Sequence, residues 1–271
     1  MTRRPVAFVT GASRGIGAAA AIAFAEKGYD LGLLGLEQDL LDATGALVRE
    51  RGGDFLAFAV DLADLADAES ALDKAIARWG HIDVLVNNAA WRTHETMRNM
   101  SVETWEKTLR VCLTAPAFLA RRAAMAMEEQ AQGGVILNIS SMMSERAAGT
   151  SPAYIASKGG LDALTYELGT LYGPAGIRVI AVNPGWIDTE MSADYVTPTG
   201  DSLAAKLDEA ARDAVPLRRP GTAQEVARAL VWLASAEASY VTGTRFLIDG
   251  GWTHQHLGYG LKRMQFPEDF P

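Results

Sequence analysis

The stretch "PVAFVTGASRGIG", residues 5 to 17, holds a short apolar run, a loop with glycines at 11, 15 and 17, and the start of a segment with helical spacing. Glycines at such a junction permit a tight turn. They also let backbone N–H groups and a helix N-terminus approach a pyrophosphate without Cβ interference. Taken alone, the glycines also fit a plain strand-to-helix turn. Their place on the first of several strand-helix units is what predicts a dinucleotide-binding loop, with Gly11, Ser13, Arg14, Gly15, Ile16 and Gly17 as candidate contacts.

Working outward, six more apolar runs follow: "DLGLLGL" (30 to 36), "FLAFAVDL" (55 to 62), "IDVLVNN" (82 to 88), "GVILNISS" (134 to 141), "IRVIAVNPG" (177 to 185) and "TRFLIDGG" (244 to 251). Their near-continuous Val, Ile and Leu suit strands covered on both faces. Helical stretches between them end at Gly28 and Gly80, and "TAQE" at 222 to 225 has a capping-box pattern. This alternation predicts an α/β fold: a doubly wound, mostly parallel seven-stranded sheet of Rossmann type with helices on both faces. No linker interrupts it, so residues 1–251 are expected to form one dinucleotide-binding and catalytic domain, followed by a tail, 252–271. The loop from Trp186 to about Asp201 follows a strand's carboxyl end, where doubly wound sheets bind ligands.

Composition narrows the function classes. Of the 271 residues, 49% are hydrophobic, enough for one large core, and the formal charge of −8 argues against a nucleic-acid surface. The single cysteine, Cys112, allows no internal disulfide and too few thiolates for a cysteine metal site. No 18-residue apolar span or signal-like leader is seen, so a cytoplasmic protein without membrane partners is expected. At the end of the second strand, Gly35 and Leu36 provide neither an acid for a ribose hydroxyl nor a base for a 2′-phosphate. Arg14 could meet a 2′-phosphate and Glu37 a ribose; the expectation leans slightly to NADP, with NAD as the alternative. Asp61 is either an adenine partner or an ordinary helix N-terminal acid.

In "YIASK", residues 154 to 158, Tyr154 and Lys158 stand four apart and share a helix face. A cation about 4 Å from a phenol is worth up to ~4 kcal/mol at an effective dielectric of ~20, enough to bring a pKa of ~10 within reach of acid/base work near neutrality. Ser141, at the end of the fifth run, stands where it can donate to a substrate oxygen or satisfy a backbone group.

In order along residues 5 to 251, "TGASRGIG", "DL" (61 to 62), "NNAA" (87 to 90), "SS" (140 to 141), "YIASK" and "NPGWIDT" (183 to 189) resemble the short-chain dehydrogenase/reductase family in its single-domain form. The resemblance implies NAD(P)-dependent interconversion of a secondary alcohol and a ketone on a small polar substrate: a polyol, sugar, hydroxy acid or hydroxyketone. Tyr154 would be the general acid and base. Lys158 would lower its pKa and bond the nicotinamide ribose, and Ser141 would polarise the substrate oxygen. Asn87, Asn88, Ala89, Asp61 and Leu62 would line the cofactor cleft, with Pro184, Gly185, Ile187 and Thr189 over the nicotinamide. The family also implies a homotetramer. Alternatives are a 3-oxoacyl reductase or a cofactor-binding redox sensor without turnover. A nucleotide-sugar epimerase shares the Tyr and Lys spacing but differs in its glycines.

Four departures stand out. Cys112 replaces the family's usual asparagine at a helix distortion, and a small buried apolar role is expected for it. Ala90 replaces a glycine. The acids of "EEQ" (128 to 130) would repel an acidic carrier protein. The tail "WTHQHLGYGLKRMQFPEDFP" carries Trp252, Tyr259, Phe266 and Phe270 and is expected to pack across a subunit boundary; His254 and His256 lack further ligands for a metal. The pocket mouth is expected from Trp91 to His94, Met142 to Arg146 and Trp186 to Tyr195, with Trp91, His94, Met142, Met143 and Trp186 as its wall and Arg92, His94 and Arg146 as polar anchors.

Overall fold

Each of the seven apolar runs forms a strand, and all seven join one parallel sheet. In the computed structural model, which describes residues 3–193, 195–197 and 199–270, these are β1 (Val6–Thr10), β2 (Asp30–Gly35), β3 (Phe55–Ala59), β4 (Val84–Asn87), β5 (Gly134–Ile139), β6 (Ile177–Pro184) and, last in the chain, β9 (Thr244–Ile248). Their order is β3-β2-β1-β4-β5-β6-β9. The chain winds outward one way from β1 through β2 and β3, then returns to place β4 on the other side, so β1 and β4 flank the switch point. The register aligns Val9 with Leu33 on one side and with Val86 on the other.

Helices cover both faces because every central strand is apolar on both. Against one face lie α1 (Gly15–Glu26), α2 (Gln38–Glu50) and α8 (Ala223–Ala234), burying Phe24, Leu41 and Leu230 on Val9, Leu33 and Val86. Against the other lie α3 (Leu65–Trp79), α5 (Ala115–Glu129) and α6 (Pro152–Tyr172), burying Leu72, Leu119 and Tyr154 around Phe8, Leu85 and Ile136. Between α4 (Val102–Leu109) and α5 the helix widens into a π turn, Arg110–Thr114, centred on Cys112. The family's distortion is present without its asparagine.

Two short elements escaped the sequence reading. β7 (Ile187–Asp188) pairs in parallel with β8 (Gly221–Thr222), and two-residue strands leave no periodicity to detect. The pair fastens the loop after β6 to the start of α8. There the capping box is realised: Glu225 N–H donates to Thr222 Oγ1 at 3.2 Å and Thr222 N–H to Glu225 Oε2 at 2.8 Å.

Part of the tail packs on its own chain. Its helix α9 (Tyr259–Gln265) packs on α7 (Ala204–Ala214): Gly260 N–H donates to Asp213 Oδ1 at 2.6 Å, and the Arg218 guanidinium lies 3.5 Å over the Tyr259 ring. Among the described residues no helix is long and apolar enough to cross a membrane.

Candidate active site

A cleft of about 670 Å³ runs along the carboxyl edge of the sheet, from the glycine loop to Trp252. Gly11 takes φ +65°, a left-handed value that favours glycine. No side chain caps α1 at Arg14, so its first N–H groups stay open to an anion. Ser13 lines the cleft with a buried hydroxyl that has no partner among the described residues. The absence of a side chain at Gly35 makes room for it: a Cβ there would sit 2.3 Å from Ser13 Oγ. This set of open donors fits the pyrophosphate and ribose of a dinucleotide.

Arg14, Gly15, Ile16, Asp61, Leu62, Asn88, Ala89, Pro184, Gly185, Ile187 and Thr189 line the cleft where expected. Gly17 and Asn87 do not. Gly17 is buried in the turn, where an added Cβ would run into the Gly11 carbonyl oxygen. Asn87 is 2% exposed and donates to Pro116 O at 3.1 Å and Asn138 Oδ1 at 2.9 Å. Along β4, side chains alternate between faces, so Asn87 follows Leu85 toward α5. Its neighbour Asn88 turns the other way, its amide donating to Thr10 O at 2.9 Å and Gly11 O at 3.2 Å and so holding the glycine loop.

Arg14 is already engaged. Its guanidinium donates to Glu37 at 2.5 Å and, across the cleft, to Glu190. The hydrogen bond to Glu190 heads the causes that raise its pKa above the ordinary value.

The three catalytic candidates all line the cleft. Tyr154 and Lys158 project from the N-terminal turns of α6, which begins with Pro152 at a position where no N–H is needed. Lys158 is 2% exposed, and its ammonium donates to Ile139 O at 2.6 Å and lies 5.4 Å from the Tyr154 ring centre. Ser141 Oγ accepts the Met143 N–H at 3.1 Å, which leaves its proton free to donate. Beneath it Asn183, missed as a positioning residue, donates to Ser141 O at 3.0 Å and to buried Asp162 at 3.0 Å. Arg245 joins Asp162 and Glu145 from β9.

On the substrate side Trp91, Met142, Met143 and Trp186 line the wall, but His94 does not. Its ring packs at a tilt against Tyr195, 4.1 Å between centres, and Tyr195 takes the lining position. Arg146 serves the tail: its Nη1 donates to the carbonyls of Trp252 and Gln255, both at 3.0 Å. That anchor brings Trp252, unforeseen from sequence, into the wall together with Lys107, Val111, Leu207 and Ala211.

Cys112 is more than an apolar filler. Its Sγ accepts the Trp91 N–H and donates to the Trp91 carbonyl, both at 3.3 Å, so the π turn grips the loop that carries Trp91 and Arg92. Cys112→Val removes both contacts inside a fully buried site. A buried backbone group left unpaired costs about 1–3 kcal/mol, so thermal denaturation should show a fall of several degrees and KM should rise about fivefold to tenfold. Cys112→Ser, which keeps a donor and acceptor, should stay within about threefold of the parent in KM.

The site and fold have close counterparts. A family model described as enoyl-(acyl carrier protein) reductase matches residues 11–253. The chain is 35% identical to D-threitol dehydrogenase of Mycolicibacterium smegmatis, with 92% of each chain covered. It is 34% identical to cis-4-hydroxycyclohexanecarboxylate dehydrogenase of Sinomonas cyclohexanicum, covering 92% of this chain and 96% of that one. A short-chain type dehydrogenase/reductase from Mycobacterium marinum superposes with a TM-score of 0.84 at 31% identity, over 93% of this chain and 96% of that one.

Proposed function

The chain belongs to the short-chain dehydrogenase/reductase family, and on that premise we propose that it interconverts a secondary alcohol and a ketone on a small polar substrate, with Tyr154 as proton donor and acceptor. The observation that carries this is that Ser141, Tyr154 and Lys158 line one cleft, the Lys158 ammonium 5.4 Å from the Tyr154 ring centre, together with a glycine loop and an uncapped helix that fit a dinucleotide. When bound, the nicotinamide dinucleotide supplies or removes the hydride.

The remaining work falls to the chain. Ser141 donates a hydrogen bond to the substrate oxygen and favours the charge that develops there. Tyr154 delivers a proton to that oxygen in reduction and takes it back in oxidation. Lys158, with one ammonium hydrogen spent on Ile139 O, keeps two for the cofactor's ribose and the phenol side of the site. Asp61, Leu62, Asn88, Ala89 and the 184 to 189 segment frame the cofactor.

A carrier-linked acyl substrate is disfavoured. The basic pair Arg121 and Arg122 is occupied by Glu69 and Asp73, and the same helix ends at exposed Glu128 and Glu129. We read residues 1–251 as the catalytic domain of a cytoplasmic enzyme, with the tail completing the pocket wall. The homotetramer also belongs to this reading. Exposed Phe118 and Met125 on α5, Leu171 on α6 and Trp232 on α8 support it by leaving apolar helix faces open to further copies.

One observation bears on the choice of cofactor. Arg14, the cation that inclines the sequence toward NADP, is shared between two carboxylates, one of them Glu37 in the cleft lining. We therefore favour NAD. A panel of polyols, sugars, hydroxy acids and ketones, followed at the reduced-nicotinamide absorbance band with each cofactor, tests both points. NAD is expected to give about tenfold higher kcat/KM than NADP, and Glu37→Gln to narrow that ratio. Turnover of no hydroxyl or ketone compound by cofactor-loaded enzyme would remove the dehydrogenase reading; an NADP preference would remove the cofactor assignment alone.

A further inference from the structure

The substrate half of the cleft is cationic. Its apolar wall carries Arg92, Lys107 and Arg146, and among the described residues none of the three pairs with a carboxylate. The acid on that side, Glu190, is bonded to Arg14, and the other acids lining the cleft, Glu37 and Asp61, lie at the cofactor end. A chain of net charge −8 has thus gathered cations around one pocket and kept its many carboxylates away.

The three cations are not equivalent. Arg146 is turned to the tail, its Nη1 donating to three carbonyls there, and Lys107 rests 4.8 Å from the centre of the Trp91 ring. Arg92 is placed differently. It sits between two tyrosines, its guanidinium carbon 6.0 Å from the Tyr154 ring centre and 5.4 Å from that of Tyr195. One Nη donates to Met191 O at 2.7 Å, the other reaches Tyr195 Oη only at 3.4 Å, and the Nε–H is buried with no acceptor. A guanidinium in an apolar pocket with donors to spare is short of a planar anionic acceptor.

Building on the dehydrogenase reading, we propose that Arg92 binds a carboxylate of the substrate, so that the carbon oxidised or reduced beside Tyr154 belongs to a hydroxy acid or oxo acid. A small rotation of the guanidinium, away from its weak contact with Tyr195, presents its free donors to the pocket. The single guanidinium of Arg92 matches a singly charged carboxylate. A phosphate dianion would leave excess charge against Met142, Met143 and Trp186. The closeness of Arg92 to the Tyr154 ring calls for a short skeleton between the carboxylate and the reacting carbon.

The test separates this from the premise it rests on. Cofactor-saturated enzyme is titrated calorimetrically with acetate, benzoate and cyclohexanecarboxylate, each beside its carboxamide, and the same pairs are run on Arg92→Gln and Arg92→Lys. At least one carboxylate should bind about tenfold tighter than its amide. Arg92→Gln should erase that difference, Arg92→Lys should recover part of it, and cofactor affinity by nicotinamide fluorescence should not change. Equal binding of every acid and its amide, or an Arg92→Gln effect that weakens both alike, overturns the proposal and reduces Arg92 to a clamp on Met191. Turnover of 3-hydroxycyclohexanecarboxylate is measured beside its carboxamide and cyclohexanol. Selective carboxylate binding with no turnover of any alcohol would keep the Arg92 site and remove the dehydrogenase reading. Efficient turnover of the neutral alcohols with no preference for the acid would do the reverse.

Discussion

Tyr154→Phe is expected to bind reduced dinucleotide within about threefold of the parent and to lose about 10³-fold to 10⁴-fold in kcat, a deficit of the size that removing a positioned acid/base produces. The substitution is clean because of how the residue is set. The ring belongs to the core beneath α6 and is 8% exposed, so its packing survives in phenylalanine. Among the described residues the hydroxyl has no recorded hydrogen-bond partner, so its removal orphans no donor and no acceptor. Folding should change by less than about 0.5 kcal/mol. Stability and cofactor affinity therefore act as controls, and only proton delivery is lost. Rapid-mixing measurement of a single turnover, with cofactor affinity from fluorescence, checks it. A variant retaining a tenth of the parent's kcat would show that another group, or water, handles the proton.

Much of this site was legible because its chemistry is local. Tyr154 and Lys158 are one helical turn apart, and the glycine loop needs only its own thirteen or so residues to announce a strand, a turn and a helix. Asn87 was misplaced although the means to place it were present: alternation along β4 puts it with Leu85, under α5. The contacts that eluded sequence are the ones that cross the chain. Arg14 meets Glu190 over 176 positions, and Arg146 finds the Trp252 carbonyl over 106. No periodicity encodes such pairs. They alter the chemistry all the same, since the first changes the cofactor inference and the second builds part of the substrate wall. His94 shows the same limit on a smaller scale, because the loop carrying Tyr195 decides which ring faces the pocket.

The polar frame under Ser141 illustrates why a serine at a strand end becomes a precise donor. Asn183 on β6 holds the Ser141 carbonyl and, at 3.2 Å, the Ser144 hydroxyl, while Asp162 on α6 accepts from the same amide. One side chain therefore links the strand carrying "NPG", the turn carrying Ser141 and the helix carrying Tyr154. The amide N–H side of Asn183 is engaged in this way and helps rigidify the site, while its Oδ1 is buried without a partner among the described residues.

Gly17→Ala should be the most damaging single-methyl change in the glycine loop, weakening reduced-dinucleotide affinity about 100-fold and lowering the melting temperature. Helix propensity alone argues the opposite. Gly17 lies in the first turn of α1, where alanine is favoured by up to about 1 kcal/mol. Steric contact outweighs it: the new Cβ would lie 2.1 Å from Gly11 O, 2.7 Å from Gly11 C and 2.6 Å from Asn88 Nδ2. The first two are backbone atoms, and the Asn88 amide already ties the Gly11 carbonyl in place. Overpacking costs about 1–3 kcal/mol, and relief must come from opening the turn that aims the N–H groups at the pyrophosphate. A 100-fold loss corresponds to about 2.7 kcal/mol, so clash and lost cradle together account for it. Gly15→Ala supplies the contrast. Its Cβ would meet only the Thr189 side chain, at 3.5 Å or more, and its φ of +56° adds about 1–2 kcal/mol of backbone strain. Fluorescence titration and thermal denaturation should rank parent, Gly15→Ala and Gly17→Ala in that order. Affinity of Gly17→Ala within threefold of the parent would mean that the loop has slack which the Gly11 carbonyl contact denies.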